Sequence, residues 1–249
     1  MKKQNRTTCK GLPALIFWAL VWQCAAMAVG NPLLLPTPGQ VLLRLAQLTG
    51  ETAFWQTACI SIGRVMLGVA LGILLGAALA VVTSAGSLAE LLVAPAMAAI
   101  QATPVASFAI LVLIWLERDF VPVLICVLMV LPVIWNSVSA GIRETDVQLL
   151  EMAKVCRLSR WRILRRIYVP SVMPYFRSAS TNALGLGWKA GIAAEVLTVP
   201  KHSMGRMISE AKLYLMTEDL FAWTLVVVIL SILLQRIMLR LLEGRKKHG

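Results

Sequence analysis

The chain has 249 residues, 59% of them hydrophobic and 14% charged, with a mean hydropathy of +0.78. So little polar surface cannot cover a soluble globule, and the apolar residues stand in long runs, so the chain reads as a membrane protein. A net charge of +12 and a pI near 10.0 would suit nucleic acid in a soluble domain, but the Lys and Arg sit between the apolar runs instead of on one solvated face, which excludes a nucleic-acid partner and makes orientation in the membrane the reason for the charge.

A bilayer core of about 30 Å needs about 20 mostly apolar helical residues, and six segments meet or approach that length: 12–30, 57–83, 88–115, 120–142, 174–199 and 220–241. The first follows "MKKQNRTTCK" and ends near "AAMA", so it also resembles a signal peptide. An uncleaved helix is preferred, because the run is long and carries Trp18 and Trp22. The segment 31–56 opens on prolines and then sets Val41, Leu42, Leu45 and Leu48 at helical spacing, which predicts a short helix on the outer interface. With the N-terminus inside, fifteen Lys and Arg fall on the inner side (Lys2, Lys3, Arg6, Lys10, eight from Arg143 to Arg177, and Arg245, Lys246, Lys247) against five outside (Arg44, Arg118, Lys201, Arg206, Lys212). Both termini are therefore expected in the cytoplasm. The five cysteines, Cys9, Cys24, Cys59, Cys126 and Cys156, form no CxxC pair and read as small packing residues, with neither disulfide nor metal implied.

The segment 143–173 departs from its surroundings. It holds "EMAKVCRLSRWRILRRIYVP", in which Lys154, Arg157, Arg160, Arg162, Arg165 and Arg166 face a single acid, Glu151. Thr145 or Asp146 fits an N-cap for a short helix from Val147 to about Cys156, and Ser159 one for a second from Arg160 to Tyr168. The second sets Trp161, Leu164 and Tyr168 opposite Arg162, Arg165 and Arg166. By itself that basic face reads as a helix held at an anionic lipid surface. Pro170 and Pro174 are expected to end it and begin the next span.

The order of residues in this segment resembles the cytoplasmic EAA loop of the permease subunits of bacterial ABC importers. Its pattern is Glu-Ala-Ala, three residues, Gly, nine residues, Ile, one residue, Leu-Pro. Glu151, Ala153, Ile167 and Pro170 match in register, and Val169 stands for Leu. Met152 replaces an Ala, and Arg157 replaces the Gly, where a left-handed turn would be strained. "SIGRVMLGVALGILLGAALA", "IQATPVASFAILVLIW" and "GLGWKAGIAAEVLTVPKHSMGRMISEAK" are similar to the branch that handles nitrate, sulfonate, taurine and related solutes. The resemblance implies an all-α polytopic protein of about six transmembrane helices with the type I ABC importer permease fold. It implies one permease domain over 1–249, in the inner membrane, with a second permease copy in a homodimer or pseudo-dimer. It further implies two cytoplasmic ATPase subunits that bind ATP and Mg, and an extracytoplasmic substrate-binding protein. No G-x-x-x-x-G-K-[ST] occurs, so nucleotide must be bound elsewhere. On this reading Glu151, Met152, Ala153, Arg157, Ile167 and Pro170 form the ATPase-coupling loop: Ala153 lets a partner backbone approach and Glu151 offers a charge-assisted hydrogen bond.

Within the spans, Arg64, Gly68, Gly72, Gly76 and Ala80 recur every four residues, as do Ala183, Gly187, Gly191 and Glu195. The glycines are expected to pack helices closely. At about 1.5 Å per residue, Arg64 and Glu195 lie roughly 10 and 6 Å below the outer boundary, which suggests an ion pair near an outer gate. Lys189, nearer mid-membrane, has two readings: bonded to carbonyls or snorkelling, or, together with the preceding Trp188, a cationic point on the translocation path of an anionic solute. Gln101, Thr103 and Ser107, around Pro104, are expected either to line the same path or to make ordinary interhelical hydrogen bonds.

A membrane enzyme is poorly supported, since His202 and His248 are far apart and neither HExxH nor GxSxG occurs. A passive channel or a scaffold subunit shares the hydropathy pattern but does not predict the EAA spacing.

Overall fold

The computed structural model describes residues 8–243. Among them eleven α-helices and a π turn follow one another with no strand: α1 (Thr8–Val29), α2 (Pro38–Thr49), α3 (Thr52–Ser84), α4 (Ser87–Ala102), α5 (Val105–Val112), α6 (Val121–Arg143), α7 (Val147–Val155), α8 (Arg160–Ile163), the π turn Leu164–Tyr168, α9 (Val169–Thr198), α10 (Met204–Leu213) and α11 (Thr217–Glu243).

Three helices form the centre. Gly68 of α3 meets Val123 and Cys126 of α6, Gly72 meets Val127 and Val130, and Gly76 meets Leu131 and Ile134, so the two helices run parallel in step. A methyl group at any of the three would come within 3 Å of α6 atoms, so the contact admits glycine alone. Helix α9 runs the opposite way across both. Gly187 lies against Val69 and Val130, and Gly191 against Val65 and the Cys126 thiol. Where lipid already surrounds every apolar side chain, such close backbone approach is what favours helix–helix contact. Cys126 is buried in this seam and donates to the Gly187 carbonyl, but Cys24, Cys59 and Cys156 are exposed, so the packing role holds for Cys126 alone among the described thiols.

Helices α3, α6 and α11 are long and apolar enough to cross a membrane, and α4 with α5 adds a fourth crossing if the pair is one broken span. Helix α1 contributes a shorter apolar stretch, Ile16–Val29, and α9 has the length but carries Arg177, Lys189 and Glu195. These helices correspond to the six expected spans.

Three expectations need correction. The run 88–115 is not one helix: α4 and α5 meet at 100°. The cause is Pro104, which holds Thr103 in an extended conformation and has no N–H to continue the ladder. Pro170 does not end a helix either, because backbone from Arg160 to Thr198 is continuously helical through the π turn. There the Val169 N–H bonds the Leu164 carbonyl five residues back, and this shift of register leaves a carbonyl of the preceding turn without an amide partner, which accommodates Pro170, a residue with no N–H to give. Finally, the stretch between the fifth and sixth expected spans is not a plain connection but holds a helix, α10. Ser203 caps it by accepting from the Arg206 N–H, and Met204, Met207, Ile208 and Ala211 supply an inward stripe.

The expected helix after the first span is α2. Thr37 and Gln40 form a reciprocal capping box, and Val41 and Leu48 are buried. Arg44 forms an ion pair with Asp219 that ties α2 to α11, and this hydrogen bond, more than any other influence, raises the Arg44 pKa.

Candidate functional site

The chemistry-bearing residues collect in three places along α9, which at about 1.5 Å per residue separates its ends by roughly 45 Å.

At the N-terminal end of α9 stands the elbow of α7 and α8. Asp146 caps α7 by accepting from the Gln148 N–H, while Thr145 is buried and donates to the Gly141 carbonyl. Helix α7 closes with Leu158 N–H on the Ala153 carbonyl and Arg157 N–H on that of Lys154. Arg157 takes φ +48° at this turn, the left-handed conformation that favours glycine. Glu151 and Met152 are exposed, and no ion pair engages Glu151 among the described residues. Ala153 is 0% exposed. It faces into the protein. The exposed side of α7 is a stripe of Val147, Glu151 and Val155 at four-residue spacing, with Met152 beside it; Val155 is 84% exposed. Ile167 is buried in the π turn and Pro170 is exposed. Beside the elbow, Tyr175 donates to Glu144 and Arg143 pairs with Glu90.

At the opposite end lies a buried charge network. Glu195 is 0% exposed. One carboxylate oxygen accepts from Arg64 Nη1 at 2.9 Å, and the other from the Ser61 hydroxyl at 2.8 Å and the Gly205 N–H at 3.2 Å. Arg64 Nη2 also donates to Asp119 Oδ1 and to the Lys201 carbonyl, both at 3.2 Å. Asp119 accepts the Lys201 N–H at 3.1 Å, and Ser61 accepts the Met204 N–H at 2.8 Å. Every polar atom of the buried carboxylate thus has a donor, which such burial requires. The network joins α3, the α5–α6 connection, α9 and the start of α10. It is enforced sterically at Gly205, where a methyl would stand 2.3 Å from Glu195 Cβ. The connection that returns the chain is strained: Val199 and His202 have φ +49° and +47°. The spacing of charges in the sequence pointed to Arg64 and Glu195. It did not point to Ser61, Asp119 or Gly205.

Between the two ends, Lys189 is exposed on a face of α9 that also carries Ser178 and Asn182, at i, i+4 and i+11. Lys189 and Asn182 border an open recess of about 340 Å³ together with Thr181 and, from α11, Gln235, whose amide rests on Gly185. Trp188 is not on that face. Its side chain is 1% exposed and its indole donates to the Val227 carbonyl at 3.2 Å, so it packs α9 against α11. Gln101 and Ser107 are exposed near the α4–α5 bend, and Thr103 donates to the Ala99 carbonyl while bordering a separate cavity of about 130 Å³ against α6. The chain does not bring these three into the Lys189 recess. Asn182 and Gln235 went unnoticed in the sequence, although Asn182 shares a helical face with Lys189.

The chain is similar to known transport proteins. The chain is 25% identical to the taurine transport system permease protein of Escherichia coli (strain K12), with 90% of this chain and 83% of that protein aligned. It is 26% identical to the putative aliphatic sulfonates transport permease protein of Bacillus subtilis (strain 168), over 94% and 84% respectively. The fold is similar to that in a crystal structure of an amino acid ABC transporter with histidines: TM-score 0.60 at 14% identity, covering 77% of this chain and 91% of that one. Residues 68–248 match the family described as "binding-protein-dependent transport system inner membrane component". The chain therefore belongs to that family, in its nitrate, sulfonate and taurine branch, and is a multi-pass permease of the inner membrane with the type I importer fold.

Proposed function

We propose that two copies of this chain form the translocation path of an ATP-driven importer for a small anionic or organic solute such as taurine or another sulfonate. A binding protein delivers the solute from outside, and two cytoplasmic ATPase subunits, which hold the ATP and Mg, engage α7. Both termini and the α7–α8 elbow face the cytoplasm, in keeping with the excess of Lys and Arg on that side. This chain performs no catalysis of its own.

The observation that carries the reading is the outer stripe of α7. Val147, Met152 and Val155 are large apolar residues left exposed around Glu151, which has no ion-pair partner among the described residues, at the position of the EAA signature. An amphipathic helix with its apolar side outward is built to lie in a partner's groove. Because α8, the π turn and α9 are one continuous helix, a displacement of the elbow is delivered along α9 to the Lys189 face and to the Glu195 network. The recess of Lys189, Asn182 and Gln235 supplies a cation and amide donors to a passing anion. The substitution Glu151→Arg tests the reading. It is expected to abolish copurification of the ATPase while membrane insertion persists, and unchanged assembly with unchanged nucleotide-dependent uptake contradicts it. A passive channel or scaffold predicts uptake that is indifferent to nucleotide.

A further inference from the structure

At the elbow end of the bundle an apolar groove of about 440 Å³ runs between the ends of α3 and α6 and one face of the π turn and α9. Ala77, Val81 and Val138 form one wall; Leu164, Val172 and Phe176 form the other. Polar atoms are almost absent from it, and its volume lies within the range of ligand pockets. Two arginines adjoin its mouth by helical register. Arg160 is one turn before the groove residue Leu164, whose N–H bonds the Arg160 carbonyl. Arg165 precedes the groove residue Val169 by one turn of the π segment, whose wider register replaces the α-helical spacing that set it opposite Leu164 and Tyr168. Helical side chains lean toward the N-terminus of their helix, so both guanidiniums reach away from the groove floor toward the membrane surface, as snorkelling arginines do. Both are exposed, and neither has an ion-pair partner among the described residues. Trp161, next to Arg160 in the chain, is 68% exposed, and an exposed indole suits a membrane interface.

We propose that this groove is a binding site for an anionic phospholipid, with one acyl chain against Val81, Val172 and Phe176 and the phosphate gripped by Arg160 and Arg165. The charge at the mouth decides the occupant. A second copy of the chain docked here about a two-fold axis would bring the same arginines face to face, which like charges oppose. A lipid with a negative headgroup satisfies the apolar floor and the cationic rim together. No residue of α7 lines the groove, so the site does not depend on whether α7 engages an ATPase.

The test uses the purified full-length chain, titrated with phosphatidylglycerol or with phosphatidylcholine of the same acyl chains and read by native mass spectrometry. Phosphatidylglycerol is expected to remain bound where phosphatidylcholine is lost, and glycerol phosphate, the headgroup without chains, is expected not to compete. Arg160→Gln with Arg165→Gln should weaken phosphatidylglycerol by about thirtyfold, the effect of two interfacial arginines on an anionic lipid. Val172→Trp, which fills the groove and leaves the arginines, should weaken it as well. Arg160→Lys with Arg165→Lys preserves the charge and should retain binding within about threefold. Equal retention of the two lipids, competition by glycerol phosphate, or indifference to either the glutamine pair or the tryptophan overturns the proposal.

Discussion

Glu195 illustrates how a charge is held in an apolar bundle. Its carboxylate is surrounded by donors: a guanidinium, a hydroxyl and a helix-terminal N–H. Removing Arg64 leaves that carboxylate buried with too few partners, so Arg64→Met is expected to destabilise the protein by about 3–5 kcal/mol, read as a lowered thermal midpoint in detergent. Exchanging the charges, Arg64→Glu with Glu195→Arg, should not rescue either single variant. An arginine at 195 would face the Ser61 hydroxyl and the Gly205 N–H, whose environment is built for an acceptor, and recovery of stability in the double variant would contradict this account. Arg157 makes the opposite prediction. A non-glycine residue at φ +48° costs about 1–2 kcal/mol, part of which is offset by the entropy glycine loses on folding. Arg157→Gly is therefore expected to stabilise the elbow by roughly 0.5–1 kcal/mol, and a lowered midpoint would show that its guanidinium matters more than its backbone. The pair at 64 and 195 was legible in the sequence because a base and an acid within apolar runs at similar depth need each other. Ser61, Asp119 and Gly205 were not, since they are common residue types whose neighbourhood exists only after the chain is folded.

The helices were legible as apolar runs, but their junctions were not. Composition placed the runs; backbone hydrogen bonds decided where helices bend, and these depend on a register that hydropathy does not carry. Thus Pro104 breaks its run by 100°, whereas Pro170 is absorbed by the π turn before it. Helix α10 was missed because it is only moderately apolar, although Ser203 followed by Met204, Met207, Ile208 and Ala211 was a readable cap and stripe. The continuous helix from α8 into α9 makes its own prediction. Inserting one alanine between Arg162 and Ile163 would rotate α7 by about 100° relative to α9. Membrane insertion should persist and ATPase copurification should fail; retained copurification would mean that the elbow is not rigidly joined to α9.

Across the whole molecule, the sequence indicated a membrane bundle, its family and the location of the elbow, because hydropathy and a spaced motif are properties of the linear chain. It misjudged which side of α7 is free: Ala153, the most recognisable residue of the motif, is turned inward, and the outer surface belongs to Val147, Glu151, Met152 and Val155. On the proposed function this surface lies in the cytoplasm and is covered by a motor subunit. Cys156, exposed at the end of α7, reports on it directly in a variant where the other cysteines are replaced. A membrane-impermeant thiol reagent should label it only in inside-out vesicles, and bound ATPase should protect it. Labelling from the outer face of intact cells, or labelling that the ATPase leaves unchanged, would mean that α7 is not where the motor docks.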